Sequence, residues 1–146
     1  MQLDDLYRQV IMDHYQHPRN QGAVEGDPVT IFLKNPTCGD EISLQLQVED
    51  GMVKEVKFSG IGCSISIASA SMMTEAIKGK PVEEALAITD EFRKMMRGEE
   101  SDFEQLGDLE ALQGVCKFPA RIKCATLAWN ALQKASEQTH VHSDHE

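Results

Sequence analysis

The alternation of apolar and polar residues at positions 42–48 constrains the fold more than any other feature of this chain. The apolar residues recur at every second position from Ile42 to Val48, which places them on one face of a β-strand. Asp50-Gly51 follows, and this pair favours a type I′ turn. The pattern therefore predicts a hairpin with a return strand at 52–59, and a shorter strand is predicted at 30–34.

Helical patterns surround this hairpin on both sides. Helices are predicted at residues 3–16, from 64 to about 77, and at 81–97, 108–113 and 119–134. One helix, a small sheet and then several helices indicate an α+β fold, with a three-stranded antiparallel sheet and helices packed on one face. We predict a single domain at 1–137 and a disordered polar tail at 138–146.

Charge and composition argue against several classes of function. The 146 residues carry a formal net charge of −10, which disfavours nucleic acid because the phosphates would be repelled. The longest uncharged run, residues 58–74, falls short of the ~20 apolar residues of a membrane span. The first residues lack the pattern of a secretory signal, so we expect a cytoplasmic protein with no membrane partner.

Three of the four cysteines stand beside a turn or a helix start. Cys38 is followed by a glycine and Asp40, Cys63 follows a glycine-rich stretch, and Cys124 falls in the second turn of the last predicted helix. Cysteines of a cytoplasmic chain are more often metal ligands, reactive thiols or core residues than disulfides. Because three thiolates and a carboxylate suit Zn²⁺, we predict that Cys38, Asp40, Cys63 and Cys124 share one metal site.

Each of these positions also has a simpler interpretation. Cys38 and Asp40 stand in what is otherwise an ordinary turn. Cys63 and Cys124 would suit a hydrophobic core, because cysteine is among the most buried residue types. Their positions near predicted helix N-termini, with Ser64 as the expected cap of the first of these helices, favour thiolates and hence the shared site.

The residues near Cys124 include two cations and one rival ligand. Arg121 and Lys123 would favour its thiolate form. Cys116 is the rival fourth ligand, but it lacks comparable neighbours and precedes the apolar Phe118. We interpret Cys116 as a packing cysteine.

Histidine contributes little to such a site. His14 and His17 are predicted to lie on the surface at the end of the first helix. His140, His142 and His145 form a weak metal-binding pattern, which is better interpreted as part of the disordered tail.

Three segments carry a resemblance to a known family: NPTCGD at 35–40, GIGCSIS at 60–66 and FPARIKC at 118–124. In order and spacing they resemble the U-type iron–sulfur cluster assembly proteins, and most closely the SufU branch. The likeness extends from LYR at 6–8 to about residue 132. It implies the IscU-like fold, with Cys38, Asp40, Cys63 and Cys124 as zinc ligands.

Three departures from the Isc branch bear on function. Lys123 stands where that branch has a histidine, and the stretch after Cys63 is longer by about the helix that begins at Pro81. The segment at 118–123 also lacks the Leu-Pro-Pro-Val-Lys sequence that a dedicated Hsp70 chaperone binds in that branch. These departures fit the zinc-dependent sulfur transfer attributed to SufU proteins better than stable cluster assembly.

The resemblance also implies a mechanism and partners. A SufS-type cysteine desulfurase would present a persulfide, and its own histidine would displace Cys38 from zinc. The freed Cys38 would accept the outer sulfur for a downstream scaffold or apo-protein, while Asp40, Cys63 and Cys124 hold the metal. Two alternatives stay open: a scaffold that holds iron or an iron–sulfur cluster at the same ligands, and a small structural zinc protein, which the dispersed ligands disfavour.

Overall fold

The fold combines a three-stranded antiparallel sheet with a layer of helices, in a computed structural model that describes residues 3–36 and 39–144. In chain order the elements are α1 (Leu3–Gln16), β1 (Val29–Asn35), β2 (Asp40–Glu49), β3 (Met52–Ile61), α2 (Ser64–Ile77), α3 (Val82–Met96), α4 (Phe103–Leu106), a 3₁₀ helix (Gly107–Lys117) and α5 (Pro119–Asp144). The predicted α+β class is confirmed.

The strands lie in the order β1-β2-β3, and the predicted hairpin joins the last two. Glu49 pairs with Met52, so only Asp50 and Gly51 form the turn. Their φ angles are +56° and +76°, and two positive values are what a type I′ turn requires. The turn sets the register of the first two pairs, and an irregularity between Gln47 and Val48 shifts the register by one residue for the rest of the hairpin.

One face of the sheet forms the base of the core. Ile42, Leu44 and Leu46 are at most 1% exposed, whereas the polar residues between them are half-buried. Helix α5 packs on β1 and β2, and α2 lies against β3, α1 and α5. The rings of Phe92 and Trp129 stack with their centroids 4.6 Å apart, which joins α3 to α5.

Helix α2 is buried on nearly all sides, which its sequence pattern did not indicate. Every residue from 66 to 74 is buried, including serines and a threonine. Short hydroxyl side chains can be buried there because they are hydrogen-bonded. The Ser69 hydroxyl, for example, donates to the carbonyl of Ala125 at 2.6 Å and accepts from the Trp129 indole at 3.0 Å.

His14 overturns the prediction of a surface histidine. Its side chain is 1% exposed, with Nδ1 2.8 Å from Ser71 Oγ and Nε2 3.4 Å from Asp108 Oδ2. The prediction was wrong because α2 and the 3₁₀ helix cover this end of α1. His17 is exposed, as predicted.

The end of the chain also differs from its prediction. Helix α5 extends to Asp144, through most of the segment predicted to be a disordered tail. After Pro119 this segment contains neither glycine nor proline, so no helix-breaking residue ends the helix near residue 134. His145 lies outside the described residues. Within the described ranges, no helix combines the length and apolar character that crossing a membrane requires.

Candidate metal centre

Three of the four predicted ligands converge. A carboxylate oxygen of Asp40 and the sulfurs of Cys63 and Cys124 all lie within 4.8 Å of one another. Asp40 and Cys124 are 0% and 1% exposed, whereas Cys63 is half-buried. The group therefore has two inner ligands and one nearer the surface, contributed by three different parts of the fold.

Asp40 is the first residue of β2, and its carboxylate is fixed at the start of α2. Its Oδ1 accepts a hydrogen bond from the backbone N–H of Cys63 at 3.0 Å. A fully buried carboxylate needs such partners, and the N-terminal end of a helix favours negative charge. The Asp40 carboxylate is thus tied to the residue that carries the second ligand.

Cys63 is the N-cap of α2, a place that the sequence assigned to Ser64. Its backbone is extended, with φ −73° and ψ 171°, and its side chain makes no capping hydrogen bond. Its carbonyl accepts from the Ser66 hydroxyl and the Ile67 N–H, each at 3.1 Å. The backbone at Cys63 is therefore held in place while the thiol is left uncommitted to the helix end.

Gly62 makes the close approach of Asp40 possible. A Cβ atom at this position would lie 2.2 Å from Ser66 Oγ and 2.7 Å from Asp40 Oδ1. Both separations are shorter than real Cβ contacts, so any larger residue would displace the carboxylate or the hydroxyl. The sequence shows a glycine-rich stretch before Cys63, and the structure identifies the two atoms that require a glycine at position 62.

Cys124 lies in the second turn of α5, and its sulfur has two polar neighbours. Sγ is 3.8 Å from the carbonyl oxygen of Ala120 and 3.9 Å from Nδ2 of Asn35. Asn35 ends β1, is 6% exposed and pairs across the sheet with Asp40. Sequence reasoning missed this residue as a neighbour of the site, although it begins the NPTCGD segment and its amide can donate to a thiolate.

The remaining predicted residues have different outcomes. Cys38 lies outside the described residues, and its role stays a prediction. Arg121 and Lys123 are exposed on α5, and their effect on the thiolate also stays a prediction. Cys116 is half-buried in the 3₁₀ helix and does not belong to the group of ligand atoms found among the described residues.

The donor set indicates which cations could be held. Two sulfurs and one carboxylate oxygen suit zinc or iron, whereas calcium and magnesium take oxygen ligands. The residues that converge here therefore fit the predicted zinc, and equally the iron of the alternative.

A second group of potential ligands has another explanation. Ligand atoms of His14, Glu75 and Asp108 also lie within 4.8 Å of one another. The two carboxylates are half or more exposed, and Arg19 Nε already lies 3.8 Å from Glu75 Oε2. We interpret this group as a histidine whose hydrogen bonds link α1 to α2 and the 3₁₀ helix, with the positive charge of Arg19 near the Glu75 carboxylate.

Known proteins match this chain over most of its length. The family described as NifU-like N terminal domain matches residues 6–125. The zinc-dependent sulfurtransferase SufU of Bacillus subtilis is 59% identical over 133 residues, which cover 90% of this chain and 90% of that protein. The iron–sulfur cluster assembly scaffold protein IscU of Streptococcus pyogenes is 47% identical over 138 residues, covering 94% and 86% respectively.

The fold itself is also similar to a solved structure. The crystal structure of a candidate iron–sulfur cluster assembly scaffold protein for the SUF system, from Fervidobacterium islandicum AW-1, has a TM-score of 0.83 and 35% identity. The match covers 90% of this chain and 97% of that one. The resemblance to U-type proteins and the IscU-like fold, both predicted from the sequence, are confirmed.

Proposed function

Because the chain belongs to the family of NifU-like N-terminal domains, we propose that it works in iron–sulfur cluster biogenesis as a zinc-dependent sulfur carrier. In this proposal a cysteine desulfurase of the SufS type donates the sulfur, and Cys38 accepts it. The 59% identity to a protein named for zinc-dependent sulfur transfer supports a sulfur carrier over the cluster scaffold of the Isc branch. A downstream scaffold or apo-protein then receives the sulfur.

The observation that carries the proposal is the convergence of Asp40, Cys63 and Cys124 within 4.8 Å. With Cys38 two residues before Asp40 in sequence, they would make the four ligands of a zinc site. Zinc bound there would supply a redox-inert Lewis acid that keeps nearby thiols ionised. The two deeply buried ligands, Asp40 and Cys124, would hold the site together while another ligand reacts.

The transfer step needs no outside oxidant. The Cys38 thiolate attacks the terminal sulfur of the partner's cysteine persulfide, and a new sulfur–sulfur bond forms as the old one breaks. The partner's cysteine leaves as a thiolate, so charge and sulfur oxidation state balance. Hydrogen bonds to Asp40 from the Cys63 N–H, and to the Cys124 sulfur from Asn35, would keep the remaining groups in position.

A scaffold function is the second candidate. The relative from Streptococcus pyogenes, 47% identical, is named an iron–sulfur cluster assembly scaffold, and the same sulfurs and carboxylate suit iron. Lys123, where the Isc branch has a histidine, and the additional helix α3 that follows Pro81 favour the carrier.

Metal analysis of single variants tests the site. We expect about one zinc per chain in the wild type, and a large loss in Asp40→Ala, Cys63→Ala and Cys124→Ala. Cys116→Ala is the matched control, because it removes a half-buried thiol outside the ligand group. Full occupancy in Cys63→Ala or Cys124→Ala would refute the shared site. A loss in Cys116→Ala equal to theirs would make Cys116 a ligand in place of Asp40.

Sulfur transfer is tested with the desulfurase and cysteine. We expect mass spectrometry to find added sulfur on Cys38 and none on Cys116, and Cys38→Ala to lose stimulation of the desulfurase. One combined result would refute the carrier proposal and support the scaffold function in its place. That result is a stable cluster formed anaerobically and passed intact to an apo-ferredoxin, while Cys38→Ala still stimulates the enzyme.

A further inference from the structure

A groove of about 830 Å³ opens beside the candidate metal centre. Its walls come from α1, the 3₁₀ helix and the first turns of α2 and α5. Ser64, the residue after Cys63, and Arg121, one turn before Cys124, both line it. Two residues that line the groove are therefore one and three positions along the chain from the candidate ligands Cys63 and Cys124.

The groove is cationic in an otherwise acidic chain. Arg8, Lys117 and Arg121 line it, and no aspartate or glutamate among the described residues does, although the chain has 24 acidic residues against 14 lysines and arginines. All three cations are exposed. Within the described part of the chain, none of them forms an ion pair. These positive charges are thus available to a partner.

The groove also offers an apolar surface on a firm wall. Phe118, at its edge, is 61% exposed, which is unusual for so large an aromatic ring, and Ile65 is half-buried beside it. The opposite wall is fixed, because the Tyr7 hydroxyl donates to Glu110 at 2.8 Å and accepts from the Gln113 amide at 2.6 Å. A partner can dock here without first ordering this wall.

We propose that this groove binds an acidic segment of the desulfurase, one that combines carboxylates with an apolar anchor. The proposal rests on the proposed function and names the chemistry of the surface that its partner presents. Carboxylates would pair with Arg8 and Lys117, while the anchor would cover Phe118. A chain with a net charge of −10 repels acidic surfaces elsewhere, so the groove would also orient the approach of the partner.

Helix α5 leads away from the groove over the rest of the described chain. It begins at the groove with Pro119 and ends at Asp144, 25 residues later. At about 1.5 Å of rise for each residue, that end lies about 38 Å from Pro119.

Charge reversal tests the proposal with the full-length protein and the desulfurase. In the double variant Arg8→Glu/Lys117→Glu we expect the Kd for the desulfurase to rise about tenfold or more. The Kd of this variant should also depend less on salt concentration than that of the wild type. Lys134→Glu, an exposed lysine on α5 outside the groove, should change Kd less than about twofold. Zinc content and thermal midpoint are measured in each variant, so that a loss of binding is not a loss of fold.

A photo-crosslinking amino acid at position 118 identifies the occupant. A crosslink to a desulfurase segment rich in aspartate and glutamate supports the proposal, and one to a basic segment overturns it. If the wild type neither binds nor stimulates the desulfurase, the proposed function fails and this inference with it. If the wild type binds and the double variant binds equally well, the groove proposal alone is wrong.

Discussion

Replacing Gly62 with alanine tests whether the candidate metal centre tolerates an added side-chain atom beside Asp40. The added Cβ would lie 2.2 Å from Ser66 Oγ and 2.7 Å from Asp40 Oδ1, where ordinary contact begins at 3.4 Å. The hydroxyl would have to retreat by about 1.2 Å and the carboxylate by about 0.7 Å. Ser66 can rotate about its own side-chain bond, but the hydrogen bond from the Cys63 N–H holds Asp40.

The displaced carboxylate should weaken metal binding more than folding. Metal–ligand distances tolerate only about ±0.2 Å, so a shift of about 0.7 Å removes Asp40 as an effective ligand. We expect zinc affinity to fall by about 10- to 100-fold, as when the support of a ligand is lost. The strain should also lower the free energy of unfolding of the metal-free protein, by about 1–3 kcal/mol.

Competition with a chromophoric chelator measures the affinity, and chemical denaturation measures the stability. Gly114→Ala is the matched control, because a Cβ there meets nothing within 4 Å and the backbone does not have a positive φ. That variant should change neither quantity appreciably. A Gly62→Ala protein with wild-type affinity and stability would show that the site adjusts freely, contrary to the reasoning above.

Three further predictions concern stability, two at buried side chains and one at an exposed ion pair. His14→Ala should lower the free energy of unfolding by about 2 kcal/mol or more in chemical denaturation, because it empties a buried, hydrogen-bonded position. As a control, His17→Ala at an exposed position should change the free energy of unfolding by less than about 0.5 kcal/mol. Ser69→Ala should cost about 1–3 kcal/mol in the same assay, since it leaves a buried indole N–H without its acceptor, and an unchanged midpoint would contradict this. The hydrogen bond from Arg19 lowers the pKa of Asp13, so Arg19→Met should raise that pKa in an NMR titration. In the wild type this interaction stabilises the fold above the unfolded-state pKa of Asp13, and the stabilisation is lost as the pH falls through the lower folded-state pKa. The variant should lack this pH-dependent contribution to the free energy of unfolding.

Much of the fold and part of the site could be predicted from the sequence because the signals are local. The alternation from Ile42 onwards and the Asp50-Gly51 pair act over a few residues, and both define the hairpin as observed. Likewise Cys63 and Cys124 stand at helix starts that nearby glycine and proline residues indicate. Their meeting with Asp40 was a prediction from chemistry, and the structure brings the three together.

What the sequence did not reveal depends on contacts between distant residues. His14 is buried because α2 and the 3₁₀ helix cover it, and no local pattern reports such covering. Ser69 is a polar residue for which no local pattern indicates a buried position, and its hydrogen-bond partners lie on α5, 56 and 60 residues away. Asn35 approaches the Cys124 sulfur across 89 residues, a contact that only the assembled sheet and helix create.

The same separations determine when the site can exist during synthesis of the chain. Asp40 and Cys63 are 23 residues apart and meet when the hairpin closes, early in translation. Cys124 emerges from the ribosome much later, and its sulfur is buried only when α5 docks on β1 and β2. A nascent chain that stops before α5 therefore presents two of the three described ligand groups and no enclosed site. Metal uptake would then distinguish finished molecules from unfinished ones.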